Sequence, residues 1–207
     1  MTILPHPVIP LPTPESAARA AIDLALRDAG WVVQDLATLD ISAGRGVAVR
    51  EFPLGKGFGE ADYLLYVEGE AVGVVEAKPE GATLTGVEIQ AEKYSEGVPT
   101  SVPAPVRPLP FLYQSTGVET RFTNRLDPEP RSREVFSFHR PETLVAWLAQ
   151  DAQGERRTTR ARLRAMPPIV ATGLWPAQLD AVGKIERSLA ADRPRSLVQM
   201  ATGSGKT

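Results

Sequence analysis

Apolar residues recur at helical spacing near the start of the chain. They lie three or four positions apart, at Ala18, Ile22, Ala25, Leu26 and Ala29. Thr13 belongs to the residue types that cap helix N-termini, Pro14 suits a first helical position, and Gly30 suits a helix end. The pattern predicts a helix over about residues 14–29, followed by a short strand at 31–33.

Extended patterns dominate the next hundred residues. Apolar and β-branched runs predict strands at 47–52, 61–67, 71–77, 111–115 and 120–124. The sequence Glu68-Gly69-Glu70 between two of these runs is typical of a hairpin turn. Helical spacing is present over 83–96 and again from about Pro141, whereas the proline-rich stretch 99–110 favours an extended surface loop.

The last fifty residues have a different organisation. A basic stretch at 155–166 precedes a predicted helix over 178–190 and a predicted strand over 196–200, which runs into a glycine-rich segment. Domains usually contain about 100–150 residues. We therefore predict an α/β domain at 1–150, a basic linker at 151–167 and the start of a second domain at 168–207.

Composition narrows the possible chemistry. The chain has no cysteine and two histidines, which excludes thiolate chemistry and makes a histidine metal site improbable. Carboxylates, lysine, hydroxyls or a hard cation with oxygen ligands remain. A net charge of −2 argues against a uniformly basic nucleic-acid surface but permits a local basic patch.

Two sequence features bear on location. No apolar run approaches the roughly 20 residues that span a bilayer. The first fifteen residues lack a basic start and are interrupted by prolines, so they do not have the pattern of a signal peptide. We expect a cytoplasmic protein.

Two acidic residues and a lysine form a candidate site on the predicted hairpin. Side chains alternate along a strand, so Glu76 and Lys78 share a face. A three-residue turn would pair Val67 with Ala71 and place Asp62 opposite Glu76. Paired carboxylates repel unless a divalent cation lies between them, and such a cation can activate water and stabilise phosphate charge. The alternative is a solvated surface strand, since this spacing also arises by chance.

Neighbouring helices add three polar candidates. Gln90 and Tyr94 are four residues apart on one helix face with Val87, which directs them toward the acids. They are also compatible with a half-buried tyrosine and an incidental glutamine. Glu15 lies in line with the apolar face of the first helix, where it is either a third metal ligand or an acid that favours the helix N-terminus.

These residues resemble the PD-(D/E)xK nucleases. Ala61-Asp62 stands where that family commonly has Pro-Asp, and Glu76-Ala77-Lys78 forms the second half of the motif. Gln90 and Tyr94 resemble the Q-x-x-x-Y element of a branch that includes RecB-like nucleases and type I restriction R subunits. The stretches 73–81 and 132–148 are similar to type I R subunits in particular.

The resemblance implies a fold, an activity and a set of partners. The fold is a restriction-endonuclease-like α/β core, with a central mixed β-sheet flanked by helices. The activity is cleavage of double-stranded DNA with Mg2+ or Mn2+, in an ATP-dependent translocating complex with modification (methyltransferase) and specificity subunits. Asp62 and Glu76 would hold the metal, Lys78 would assist catalysis, and Gln90 and Tyr94 would support the site or contact DNA.

The last seven residues, ATGSGKT, resemble the first motif of superfamily 2 helicases. Met200 occupies the first glycine position of the general phosphate-loop pattern, so the match to that wider pattern is incomplete. Thr202, Gly203, Ser204, Gly205, Lys206 and Thr207 would contact phosphates and magnesium. Gln178 resembles the adenine-contacting glutamine. We expect an incomplete start of a RecA-like helicase domain, with ATP a cofactor only of the complete protein and neither ATP hydrolysis nor translocation by this chain.

Other functions remain open at this stage. Arg156, Arg160 and Arg164 would form one ridge of a helical connector, either as a DNA backbone contact or as a solvated linker. Two alternatives to the nuclease are a catalytically silent module that docks on partner subunits and a nucleotide-binding fragment that acts through its phosphate loop.

Overall fold

The computed structural model describes most of the chain. The described residues are 13–84, 88–127, 130–152, 167, 169–170, 172–191, 193, 196–201 and 203. They divide into two compact units: Met1–Arg125 with Pro130–Val145, and Leu126–Glu129 with Ala146–Thr207. The basic stretch 155–166 lies outside the described residues, and the predicted domain boundaries stay predictions.

Helix α1 spans Pro14–Asp28, as the apolar spacing predicts. Thr13 caps its start, with Oγ1 accepting from the Ser16 amide at 3.2 Å. At its other end Gly30 adopts a φ of +90°, which costs a glycine little, and the Trp31 amide reaches back to the Leu26 carbonyl at 3.0 Å. Both helix ends therefore satisfy their backbone groups locally.

A seven-stranded mixed sheet forms the centre of the first unit, with its strands in chain order. The strands are β1 Val32–Asp35, β2 Gly46–Pro53, β3 Glu60–Val67, β4 Glu70–Ala77, β5 Phe111–Ser115, β6 Thr120–Asn124 and β7 Arg133–Val135. The β1–β2 and β4–β5 pairs are parallel and the other pairs antiparallel. The predicted α/β class, a mixed sheet with flanking helices, is confirmed.

In the described part of the chain, three further helices follow, α2 Glu88–Glu96, α3 Pro141–Ala152 and α4 Pro176–Ala190. The prediction that the second helix begins at residue 83 is wrong, since residues 81–84 form a turn and irregular chain. Residues 196–200, predicted as a strand, do not form one: a strand needs a neighbour to pair with, and the described residues pair none with this segment.

Two short elements escaped prediction, β7 and a 3-10 turn at Leu36–Thr38. Each contains three residues, too few for a periodic pattern. No helix among the described residues is long and apolar enough to cross a membrane.

The hairpin between β3 and β4 has a tighter turn than its sequence suggests. Glu68 and Gly69 have φ values of +50° and +84°, the positive pair required by a two-residue type I′ turn. Val67 therefore pairs with Glu70 instead of Ala71. The predicted three-residue turn is wrong.

A β-bulge restores the predicted register farther along the hairpin. The pairing shifts after the first residues so that Leu65 lies opposite Gly73, with Val72 as the extra residue on β4. One step beyond the recorded pairs, this register places Asp62 opposite Glu76. The two acids are cross-strand neighbours because the bulge compensates for the shorter turn.

Buried polar contacts fix α1 against the sheet. The Tyr63 hydroxyl on β3 donates to Asp23 Oδ1 at 2.9 Å, and Arg50 Nε on β2 donates to the same oxygen at 3.0 Å. Ile22 and Leu26 of α1 are fully buried. These contacts also fix the positions of Glu15 and Arg19, because both residues lie on α1.

A histidine is packed against aromatic rings near the end of the first unit. His139 Nδ1 lies 2.7 Å from the Tyr113 hydroxyl, and its ring centroid is 4.4 Å from that of Phe122. The His139 amide donates to the same hydroxyl, so the hydroxyl hydrogen is available to Nδ1. Burial, together with the charge of Arg133, lowers the pKa of His139 from 6.5 to about 4.

This histidine is expected to make stability depend on pH. Between pH 6.5 and about 4 the unfolded chain binds a proton at His139 that the folded chain does not, so the free energy of unfolding falls as pH falls through this window. With screening by solvent, His139 contributes about 1–2 kcal/mol to that fall. Urea denaturation at pH 7 and pH 4.5 should show a smaller loss in His139→Gln than in the unaltered chain; equal losses would contradict the expectation.

Candidate active site

A cleft of about 250 Å3 lies in the first unit where α1 and α2 approach the ends of β3 and β4. It is lined by Glu15, Arg19, Asp62, Glu76, Ala77, Lys78, Pro79, Gln90 and Tyr94. All six residues predicted for the nuclease site are among these nine. The first helix, the hairpin and the second helix each contribute to the set.

Asp62 is held at both carboxylate oxygens. Its Oδ2 accepts from the Ala77 amide at 2.8 Å, a contact across the hairpin to the end of β4. Its Oδ1 accepts from Arg19 Nη2 at 2.7 Å. With the side chain 16% exposed, Asp62 is a positioned and largely shielded carboxylate that faces the cleft.

Glu76 is the most deeply buried acid of the cleft, at 2% exposure. Lys78 Nζ donates to its Oε1 at 2.6 Å, whereas Oε2 is buried without a hydrogen-bond partner. Burial raises the pKa of the Glu76 carboxyl; the Lys78 hydrogen bond opposes this shift and the charge of Asp62 reinforces it. The cleft therefore contains one acceptor oxygen whose bonding capacity the protein leaves unused.

Lys78 connects the strand to α2. Its Nζ donates to Gln90 Oε1 at 3.1 Å, and Gln90 Nε2 donates to the Tyr94 hydroxyl at 2.6 Å. Partial burial lowers the pKa of Lys78, but Glu76 and Asp62 outweigh this effect and raise it. Lys78 is thus a firmly protonated ammonium group whose direction is set by an acid and an amide.

The prediction from helix spacing placed Gln90 and Tyr94 together beside the acids, and the structure has them there. The i, i+4 spacing lets the amide and the phenol contact each other on one face of α2. Val87, which was predicted to share this face, lies outside the described residues.

Gln114 extends the polar region into the sheet. It lies in register with Glu76 on the parallel neighbour β5 and is fully buried. Its Oε1 and Nε2 have no hydrogen-bond partner in the described part of the chain. A glutamine in a strand gives no functional signal in the sequence, so this residue was not predicted.

Two further charged residues were also missed. Arg19 lies on α1, one turn after Glu15, and bridges Asp62 and Glu51. Glu51 lies within β2 and adopts a φ of +51°, uncommon for a residue other than glycine. Helical spacing could have predicted Arg19, because it follows Glu15 by four residues and therefore shares its helix face. No sequence pattern indicated Glu51.

The donor set of the cleft fits a hard divalent cation. Such cations prefer oxygen ligands, and Asp62 with Glu76 supplies carboxylates, including the unpartnered Oε2. Across the described ranges, however, no three His, Cys, Asp or Glu side chains form a ready metal cluster. Arg19 and Lys78 instead pair with the two acids, and the roles of Glu15, Asp62 and Glu76 as metal ligands stay predictions.

The predicted nucleotide residues lie in the second unit. Gln178 occupies the third position of α4, where its Oε1 accepts from the Trp175 amide at 2.8 Å in a capping contact. Gly203 adopts a φ of +81° in a turn. The remaining predicted phosphate contacts, Thr202, Ser204, Gly205, Lys206 and Thr207, lie outside the described residues.

A wider groove of about 910 Å3 is present in the second unit, between α4 and residues 196–201. Its lining includes one acid–lysine pair, Asp180 with Lys184, and several apolar side chains. By volume alone, this groove would be the preferred candidate for the functional site. The smaller cleft of the first unit has the buried acids and the positioned lysine, so we assign the candidate site there.

Comparisons with known proteins point to one family. The family profile for the second domain of the type I restriction enzyme EcoKI endonuclease subunit matches residues 38–119. The type I restriction enzyme EcoKI endonuclease subunit of Escherichia coli strain K12 is 29% identical over an alignment that covers 93% of this chain and 20% of that protein. The profile range contains Asp62, Glu76, Lys78, Gln90 and Tyr94.

One solved structure is similar as well. It is a fragment described as an HsdR subunit of a type I restriction enzyme from Vibrio vulnificus YJ016, with 22% identity and a TM-score of 0.49 over 94% of this chain and 36% of that one. The chain thus spans about a fifth of the curated relative and about a third of the solved one.

Proposed function

We propose that this chain, a relative of the N-terminal region of type I restriction endonuclease subunits, contains the subunit's DNA-cleaving site. The reaction is Mg2+- or Mn2+-dependent hydrolysis of DNA phosphodiester bonds. The observation that carries the proposal is the hydrogen-bonded chain from Glu76 through Lys78 and Gln90 to Tyr94, with Asp62 in the same cleft.

Asp62 and Glu76 are the residues that would hold the cation, and Glu15 is a third candidate. When bound, the cation supplies positive charge that polarises a phosphate oxygen and lowers the pKa of water. The protein arranges the two carboxylates for cation binding in two ways. The Ala77 amide orients Asp62, and burial keeps Glu76 out of contact with bulk water.

Lys78 supplies the fixed positive charge of the site. Its side chain is 27% exposed, so a phosphate group in the cleft can approach the ammonium. Gln90 accepts from Lys78 and is itself oriented by Tyr94, so the ammonium group is positioned before substrate arrives. A preorganised charge stabilises a developing oxyanion better than a mobile one.

The wider assembly is proposed from similarity. Double-stranded DNA would be the substrate, modification and specificity subunits would be the partners, and ATP would serve the complete protein. The arginines of the stretch 155–166 would add a DNA backbone contact, which steep salt dependence of DNA affinity would reveal.

Cation binding is the direct test of the site. Calorimetric titration with Mn2+ should show one site in the unaltered chain and at least about tenfold weaker binding in Asp62→Asn, because a cation ligand is lost. Glu142→Gln removes an exposed carboxylate of α3 and serves as the matched control, expected to bind like the unaltered chain.

A second function follows from one observation. Arg19 pairs with Asp62 and Lys78 pairs with Glu76, so both acids already have a positively charged protein partner. This arrangement favours a catalytically silent module that docks on partner subunits. Absence of Mn2+ binding, or equal binding by Asp62→Asn, would reject the nuclease site and leave the docking module as the remaining candidate.

A further inference from the structure

Arg19 joins two acids that lie on adjacent strands. Its Nη2 donates to Asp62 Oδ1 at 2.7 Å and its Nη1 donates to Glu51 Oε1 at 2.5 Å. The two nitrogens of one guanidinium group thus serve different carboxylates, of which one lies in the cleft and the other is 58% exposed at its edge.

The contact with Asp62 conflicts with cation binding. Asp62 Oδ2 is already bound by the Ala77 amide, and Oδ1 is bound by Arg19. A cation bound at Oδ1 would lie beside the guanidinium group, and the repulsion between the two positive charges would drive Arg19 away from Asp62. The Arg19 side chain is 41% exposed, so it has space to leave Asp62 without unpacking α1.

Glu51 is the acid with which Arg19 can stay paired after it leaves Asp62. Register on β2 and β3 puts Glu51 across from Asp62, between the pairs Arg50–Tyr63 and Phe52–Ala61. Glu51 has a left-handed backbone conformation inside a strand, at a φ of +51°, which is unfavourable for a residue with a Cβ. Strain of this kind persists only where surrounding contacts impose it.

We infer that Arg19 is a positioning residue that acts as the internal counter-ion of Asp62 and moves wholly to Glu51 when a divalent cation binds. Arg19 holds the Asp62 carboxylate in place while the cation is absent. Glu51 lowers the cost of displacement by retaining the guanidinium group. Cation affinity is therefore set by two residues that do not contact the cation. The inference rests on the proposed function.

The test is a four-protein cycle in calorimetric titration with Mn2+. Arg19→Gln should bind roughly three- to tenfold more tightly than the unaltered chain, because no ion pair has to be broken. Glu51→Gln should bind more weakly, because Arg19 then pairs with Asp62 alone. In the double variant the Glu51 change should lose most of its effect, since it acts through Arg19.

A charge-matched control separates this mechanism from general electrostatics. Arg45→Gln removes an arginine that immediately precedes β2, six residues from Glu51 and roughly 20 Å away at strand spacing. It should leave Mn2+ affinity unchanged; a gain equal to that of Arg19→Gln would overturn the inference.

Two further outcomes would also overturn it. One is Mn2+ affinity in Arg19→Gln that is equal to or weaker than that of the unaltered chain. The other is a Glu51→Gln effect that persists in full without Arg19, which would make Glu51 a cation ligand instead. Failure of the proposed function has a different signature, since Asp62→Asn would then bind Mn2+ as the unaltered chain does.

Discussion

Replacing Glu76 with glutamine is expected to reduce cation-dependent DNA cleavage by at least about a hundredfold while leaving the fold intact. The amide has the size of the carboxyl group but no negative charge, so it cannot hold a cation. Glu76 is 2% exposed, and only Oε1 of its two carboxylate oxygens accepts a hydrogen bond, from Lys78, an acceptor that the glutamine amide oxygen can replace.

The same change should not lower thermal stability much. Burial raises the pKa of Glu76, so above its ordinary value of 4.5 the ionised carboxyl is more costly in the folded chain than in the unfolded one, and stability falls as pH rises through this range. The neutral amide removes that cost at pH 7. Lys78, which loses its acid partner, remains partly exposed to water.

Cleavage and folding can be measured on the same samples. Nicking and linearisation of supercoiled plasmid with Mg2+ or Mn2+ give the rate, and thermal unfolding gives Tm. Glu119→Gln is a suitable control, because this acid lies in the β5–β6 turn with a side chain 42% exposed. A cleavage rate within threefold of the unaltered chain would remove Glu76 from the site, whereas loss of both rate and Tm would indicate a structural role.

The second large effect is expected from Gly73→Ala, which should lower the free energy of unfolding by about 3 kcal/mol. A Cβ at Gly73 would lie 2.4 Å from the Phe111 carbonyl oxygen and 3.0 Å from its Cβ. The obstacle is backbone of the paired strand β5, which cannot rotate away as a side chain end can. Relief requires β4 and β5 to separate, which weakens their ladder.

Urea denaturation followed by far-ultraviolet circular dichroism provides the measurement. Gly183→Ala is the matched change, because Gly183 lies inside α4 with only the end of the Arg187 side chain nearby, at 3.5 Å. That variant should gain roughly 0.5–1 kcal/mol from helix propensity. A loss below about 0.5 kcal/mol for Gly73→Ala would show that the strands accommodate the methyl group.

Most elements of the first unit follow from local patterns. The helix at Pro14–Asp28 has a cap, a proline and a spacing that residues within four positions of one another determine. The strands Phe111–Ser115 and Thr120–Asn124 match their predicted bounds because apolar and β-branched runs end at turn residues. Where the pattern was weak, at residues 83–84, the predicted helix start was wrong.

The hairpin shows how a correct conclusion followed from an incorrect intermediate. The predicted turn contained three residues and the observed one contains two, yet Asp62 still faces Glu76 across the strands. A bulge at Val72 supplies the missing step. Bulges depend on how two strands twist and pack, and the residues around Val72 show no local sign of one.

Side-chain chemistry, spacing and the resemblance to the PD-(D/E)xK nucleases together predicted the motif residues of the candidate site. Asp62, Glu76 and Lys78 are close in sequence, and strand alternation relates two of them directly. Gln90 and Tyr94 are related by helical spacing. These rules act over a few residues, so they hold before any tertiary contact forms.

Arg19, Glu51 and Gln114 became part of the site only through the folded arrangement of α1, β2 and β5. Arg19 precedes Asp62 by 43 positions and Glu51 precedes it by 11, and Gln114 follows Glu76 by 38. Each lies on a different element from the residue that it adjoins, so no periodicity within one helix or strand relates them. Their proximity results from burial of α1 against the sheet and from the pairing of β2 with β3 and of β4 with β5. These contacts join segments that are distant in sequence, so only the tertiary structure determines them.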